Sequence, residues 1–259
     1  GNLSVCPPHP EQRCTVNRDG LVFCPAKADY TPSNLRLAPL PPDSRLSSTR
    51  AENFDLPRIL HDLYGDKFAR GINFVIMLRE PLARMQSEWY SVWHCRLARE
   101  GALSDVDGCG GESFEADVVK SIKLAHQTPR VLTPMLWTSM YNSQIEAYRM
   151  WFNAAQFIII PMGVYLKDHA PLVSTLRQRL HIGLVLTPSV DPHHNQTHPS
   201  VHDDVSSKVR KQFDALMAPG IKDLKRTLAA MGKDGAMLAG FNASDYGEDE
   251  VSDWLTSNW

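Results

Sequence analysis

The chain reads as an α/β protein: a parallel β-sheet flanked by helices. Three observations carry that expectation. Two short apolar runs, 72–78 and 156–160, do not alternate with polar residues. Such runs suit strands covered on both faces, as in a parallel sheet. Around them, apolar residues recur at helical spacing, as in Leu82, Met85, Trp89, Val92 and Trp93, or Tyr141, Ile145, Tyr148 and Phe152. Strand, crossover helices and strand then form a β-α-β unit, for which parallel, right-handed connection is the rule.

The elements follow in order. Residues 1–55 are rich in Pro, Ser and Asn, show little periodicity, and read as a mostly irregular Cys/Pro-rich segment. The remainder, 56–259, reads as the α/β domain. A helix is predicted from Leu56 to Tyr64, started by Pro57 and ended near Gly65. The first strand follows, and Pro81 suits the first turn of the next helix, where its missing N–H costs nothing. Residues 98–135 read as an insertion with a Gly-rich centre (Gly108, Gly110, Gly111) and a helix from Phe114 to Ala125. After the second strand come a helix over 169–180, with Leu172, Leu176 and Leu180 on one face, and another marked by Val201, Val205, Val209 and Phe213. That helix is expected to end near Pro219-Gly220, with a last one carrying Ile221, Leu224, Leu228 and Met231. From Gly240 the chain is acidic and contains Trp254 and Trp259.

The bulk numbers narrow the class. The 259 residues suffice for one large α/β domain or two small ones. A formal net charge of −2 gives no bulk signal for nucleic acid or an anionic membrane. No apolar run approaches the ~20 residues of a membrane span, so no stable membrane insertion is expected. No charged-then-apolar leader opens the chain, as expected of a mature or trimmed form. Cys6, Cys14 and Cys24 cluster near the start, and Cys95 and Cys109 flank the Gly-rich loop. None has C-x-x-C spacing, which argues against zinc. The sequons at Asn2, Asn195 and Asn242, together with the clustered cysteines, favour the secretory pathway lumen (Golgi) or secretion. There Cys95–Cys109 is the preferred disulfide, with one more pair among the first three cysteines. The alternative is a cytoplasmic protein with five reduced thiols.

The chemistry concentrates at 74–90. An apolar strand ends in Arg79, Pro81 follows, and a helix then carries Arg84 and Ser87, with Ser91 on the same face. Ligands of open parallel sheets sit outside the carboxyl ends of the strands, and Arg79 is at such an end. A guanidinium offers a planar fork to phosphate, and a hydroxyl adds one donor. Arg79 and Ser87 are therefore candidate anion-binding residues. Arg84 either joins them or braces the loop through an ion pair.

The pattern R-[DE]-P-x-x-R-x-x-S resembles the segment with which sulfotransferases grip the 3′-phosphate of 3′-phosphoadenosine 5′-phosphosulfate (PAPS). The order of elements over roughly 28–232 is similar to the carbohydrate, heparan-type branch of that family. Further similarities are a helix with Tyr141, Gln144, Tyr148 and Trp151, then a strand and Leu166-Lys167-Asp168, and later His198-Pro199 before a long helix with Phe213. A fainter one is the segment Ala28-Asp-Tyr-Thr-Pro-Ser-Asn34. The resemblance implies a P-loop-NTPase-like sulfotransferase fold, incomplete at its start. It also implies PAPS as donor, PAP (adenosine 3′,5′-bisphosphate) as product, no metal, and a hydroxyl or amine of a carbohydrate or small molecule as acceptor. Arg79, Ser87 and Arg84 would bind the nucleotide.

The chain also departs from the pattern. The family's K-x-G-T-[ST] loop, which wraps the 5′-phosphosulfate, is not found, and only 27 residues precede Ala28. His194, Asn195 and Gln196 stand where a basic Lys-Gly-Arg loop would be, and Tyr30 where a lysine commonly precedes the Thr. Three explanations stand open: a piece of a longer protein, a member that builds the 5′ site from other residues, or a noncatalytic relative that holds a nucleotide or glycan. A P-loop kinase is disfavoured, because no Walker lysine loop is present. No catalytic base is nominated. His94 fits a core or surface position on the helix. His193, His194, His198 and His202 read as a polar loop over the site, since no H-E-x-x-H pattern joins them. The acidic, Gly-rich character of 98–135, the expected contributor to the acceptor pocket, tilts the expectation toward a neutral or small acceptor.

Overall fold

The computed structural model describes residues 55–97, 113–128, 131–167, 169–180, 205–242 and 245–259, with the strand dipeptides 15–16, 22–23 and 45–46; the side chains of 90–97 and 169 lie outside the description. The architecture is α/β. Strands β1 (Thr15–Val16) and β2 (Val22–Phe23) form an antiparallel pair, and β3 (Arg45–Leu46) runs parallel to β5 (Val131–Leu132). The main sheet is a small open parallel one of β4 (Phe74–Leu78), β6 (Phe157–Pro161) and β7 (Met237–Leu238), in the order β4-β6-β7. The helices are α1 (Leu56–Ala69), α2 (Pro81–Leu97), α3 (Phe114–Gln127), α4 (Pro134–Thr138), α5 (Tyr141–Arg149), α6 (Met162–Lys167), α7 (His169–Arg179), α8 (Ser207–Lys233) and α9 (Glu248–Ser257). Among the described residues no helix is long and apolar enough to cross a membrane.

β6 is the strand that the apolar-run argument describes best. All five of its residues are buried. Phe157 and Ile159 enter the larger core; Ile158 and Ile160 meet Leu172 of α7 and Ala239 on the other face. β4 departs from the expectation of cover on both faces. Ile76 and Leu78 are buried, but Val75 is 48% and Met77 41% exposed. The reason is position. In register, Val75 and Met77 stand beside Ile158 and Ile160. Among the described residues β4 is the outer strand of this sheet, and the small cluster around Leu172 includes neither Val75 nor Met77.

The β4·β6 register runs in step from Phe74↔Phe157 to Leu78↔Pro161. Two devices set its lower end. The buried Gln156 donates its amide hydrogens to Ala69 O (2.8 Å) and Ile72 O (2.6 Å), and its Oε1 accepts from Asn153 N (3.1 Å). Phe74 lies at ring-centroid distances of 4.6 Å from Phe152, 5.2 Å from Tyr148 and 5.2 Å from Phe157. Ring pairs at these separations add about 0.5–1.5 kcal/mol beyond burial.

The helices follow their stripes, with informative differences. The first helical stretch of α1 ends at Gly65 as expected: Gly65 leaves helical geometry (φ 64°, ψ 163°), a conformation that suits glycine, and beyond this kink a second short helical stretch runs to Ala69. The described part of 98–135 includes α3, whose Phe114, Val118 and Ile122 belong to the core. Asp117 of α3 accepts a hydrogen bond from Trp89 Nε1 at 2.8 Å. The two helices expected on either side of Pro219-Gly220 are one, the 27-residue α8. The apolar stripe crosses the proline without a phase break, through Phe213, Met217, Leu224 and Leu228, all buried, while Pro219 and Ala215 face solvent. The carbonyl that Pro219 leaves without an intrahelical donor is thus on the wet side. α8 packs against α3, α5 and α9. Near its end Gly232 sits so close to the Tyr246 ring that a Cβ there would collide with it. Tyr246 stacks on Phe241 at 4.9 Å, and Phe241 meets Trp254 of α9 edge-on at 5.9 Å.

Several expectations lie outside the described residues: the disulfides, the histidines of 193–202, the sequons at Asn2 and Asn195, and the segment 28–34. Pro219→Ala should stabilise the protein by about 1–3 kcal/mol, because an exposed proline inside a helix is replaced by the best helix former. The check is the urea midpoint at constant m-value; a lower midpoint would mean that the proline's bend is needed for packing.

Candidate functional site

The carboxyl ends of β4 and β6 lie at the same edge of the sheet, since Leu78 pairs with Pro161. At that edge the chain leaves β4 through Arg79 and Glu80 and enters α2 at Pro81. This turn is held from three sides. Arg79 N donates to Tyr141 Oη (3.3 Å), at the start of α5. Ser139 Oγ donates to Pro81 O (3.2 Å), tying the end of α4 to the start of α2. Glu80 folds its own carboxylate over the first turn of α2, where Oε1 accepts from Leu82 N (3.1 Å) and Oε2 from Ala83 N (2.7 Å). Two otherwise unpaired helix donors are thereby satisfied, and the negative charge sits at the positive end of the helix dipole.

The charges divide in a definite way. Glu80 does not pair with its neighbour Arg79. Its ion pair is with Arg210 of α8, whose Nη2 lies 3.2 Å from Oε1. Arg210 is itself fixed by Asp214, which accepts from Nε through both oxygens at 2.9 and 3.0 Å. Arg84 donates to Glu88 at 2.9 Å, one turn along α2, and Glu88 also accepts from Thr138 Oγ1 at 2.7 Å. Arg84 thus braces α2 against α4. Arg79 is half-buried, and its guanidinium makes no ion pair among the described residues. Ser87 is exposed on α2, and its hydroxyl has no hydrogen bond among the described residues.

Of the three sequence candidates, Arg79 and Ser87 therefore offer donors without a partner among the described residues, whereas Arg84 is engaged. Sequence reasoning missed the surrounding frame. Tyr141 was legible as an apolar helix position and as part of the helix in the resemblance, but neither showed that its hydroxyl holds the Arg79 amide. Glu80 stands inside the motif but carries no signal of where its carboxylate goes. Arg210 lies 130 residues further on, with nothing in the sequence to link it to the turn.

Burial pushes the Tyr141 phenol up to about 12, against the lowering pull of the Arg79 amide hydrogen bond and of the Arg84 and Arg79 charges. Beside the turn opens a cleft of about 250 Å³ between Pro81, the start of α5, the middle of α8 and Trp259. Its walls are largely apolar, including Met140, Leu216 and Ile221, and among the described residues Asp223 is the one charged side chain in the lining. Among the described residues no three His, Cys, Asp or Glu side chains come together as a metal-binding group.

The buried phenol makes stability pH-dependent in a calculable sense. The folded value lies above the ordinary 10.0, so Tyr141's contribution is fully present below pH 10 and is lost as pH rises toward about 12. The unfolding free energy obtained from urea titrations should fall across that window, by on the order of 1 kcal/mol per pH unit for this group. In Tyr141→Phe that part of the slope should vanish; an unchanged slope would mean that the phenol is not buried in solution. No protein-family model matches the chain, and no curated protein sequence matches it either.

Proposed function

We propose that the protein is a PAPS-dependent sulfotransferase that holds the 3′-phosphate of its nucleotide at the end of β4. One observation carries the reading: Arg79, at the carboxyl end of a parallel strand and before a helix that presents Ser87, keeps its charge without an acidic partner among the described residues. A half-buried guanidinium left in that state favours an anionic ligand. Arg84, paired with Glu88, which also accepts from Thr138, braces α2 against α4 beside the strand end. The finer fold proposed with this function is the P-loop-NTPase-like sulfotransferase fold.

The reaction is in-line transfer of a sulfonyl group. The acceptor oxygen or nitrogen forms a bond to sulfur, the bond from sulfur to the bridging oxygen of the 5′-phosphate breaks, and the acceptor's proton passes to a base. PAP leaves. Such transfer rests on positioning and charge neutralisation, and it needs no metal. Arg79 and Ser87 act at the far end of the nucleotide and contribute binding and orientation. The acceptor is a hydroxyl or amine of a carbohydrate or small molecule. The cleft beside Pro81, with apolar walls and Asp223 as its charge, favours a neutral acceptor over a sulfated polyanion. The Golgi lumen or secretion is the proposed location; Asn242, in the third sequon, is exposed.

A second reading has its own observation. The sequence contains no K-x-G-T-[ST] loop for the 5′-phosphosulfate, which favours a domain that holds the nucleotide or a glycan without turnover. Transfer of labelled sulfate from PAPS to a panel of glycans and small alcohols separates the two.

Calorimetry with PAP tests the site itself. Arg79→Ala should weaken binding by about 10- to 100-fold, the worth of a charge-assisted hydrogen bond to phosphate. Ser87→Ala should cost several-fold, and Arg84→Ala less than Arg79→Ala. Affinity unchanged in Arg79→Ala would sink the assignment.

A further inference from the structure

Arg79 and Glu80 are adjacent in the chain, opposite in charge and both half-buried, yet they do not pair. Glu80 has two ways to be neutralised. One is its neighbour's guanidinium. The other is the arrangement present: Leu82 N, Ala83 N and the guanidinium of Arg210. Each choice decides what is left for a ligand. With Glu80 turned onto Arg79, the strand end carries an internal ion pair and no net charge. With Glu80 turned onto α2 and Arg210, Arg79 keeps its charge.

We propose that Arg210 is a positioning residue of the anion site: by taking the carboxylate of Glu80 it keeps Arg79 available for the ligand's phosphate. The geometry is specific to this task. Asp214 accepts from Arg210 Nε through both oxygens, which fixes the plane of the guanidinium and leaves Nη2 to reach across to Glu80. Lysine, a point charge without a fork, could not serve both carboxylates in this fixed way. The link also spans two elements far apart in sequence, α8 and the start of α2. The occupancy of the site is therefore tied to how α8 is seated.

The inference rests on the nucleotide-binding reading, and a double-mutant cycle separates the two. PAP affinity is measured by calorimetry on the full chain, with folding checked by circular dichroism. Arg210→Ala should weaken PAP binding about tenfold at low salt, because the released carboxylate neutralises Arg79 at close range. Asp214→Ala, which frees the guanidinium but leaves it in place, should act in the same direction and less. Adding Glu80→Gln to Arg210→Ala should restore the affinity, since the competing charge is gone. A purely structural tie between α8 and α2 gives the opposite result: the double variant, having lost the helix cap as well, binds no better than Arg210→Ala. That outcome, or an unaltered affinity in Arg210→Ala, overturns the proposal while leaving Arg79 as the phosphate residue. If the wild-type chain does not bind PAP at all, the nucleotide reading falls, and this inference with it.

Discussion

The parallel pairing of β4 with β6 is the constraint on which the other arrangements depend. Its register brings the carboxyl ends of both strands to one level, so that Arg79 emerges at the edge where α6 begins. Slipping a strand by one residue would exchange its faces. Phe157 and Ile159 would then leave the larger core for the side that Ile158 and Ile160 occupy. Gln156 opposes such a slip. It is buried, and its amide holds the chain on both sides of the α1–β4 connection, at Ala69 and Ile72. A hydrogen-bonded amide in an apolar setting is costly to leave unpaired, so the same bonds that stabilise this end also specify it.

Above the sheet, the distribution of charge matters more than its amount. The net charge is small, and most described arginines near the strand end are spent: Arg84 on Glu88, and Arg210 on Asp214 and Glu80. The half-buried Arg79 is set apart by the engagement of its neighbours. The motif that the sequence displays as a row of candidate ligands is, among the described residues, a guanidinium without an ion pair inside a brace of ion pairs, with an exposed hydroxyl further along α2. The Tyr141 hydroxyl completes the brace from below, fixing the backbone from which Arg79 extends.

Much of this was legible in the sequence because the signals were local. The strands at 74–78 and 157–161, and the helices at Pro81, Phe114, Tyr141 and His169, follow from apolar spacing and start signals confined to short windows. The misreadings have non-local causes. β7 and the β3–β5 pair are two residues long in each strand, too short for any period to register. Pro219-Gly220 reads as a stop, yet the stripe on either side of it buries enough apolar surface against α3, α5 and α9 to carry one helix through. β4 and β6 look alike as strings, yet among the described residues β6 is central with both faces covered, whereas β4 is outermost with Val75 and Met77 left out of the cluster on that face. At the site, Arg79 and Ser87 were legible as types at a spacing; the partners of Glu80 and Arg84 were not, since pairing is a property of the fold.

The contact between Gly232 and Tyr246 carries a mechanical implication. The end of α8 and the aromatic side chains before α9 meet with no room for a single carbon: Gly232 against Tyr246, Tyr246 stacked on Phe241, and Phe241 against Trp254. Trp254 is itself fastened, its Nε1 donating to Ala239 O at 3.1 Å. Ring stacks of this kind are stiff, because packed interiors transmit displacement instead of absorbing it. A methyl group at position 232 would thus act as a wedge with a long arm, prising the last helix from the body of the domain through three rings in series.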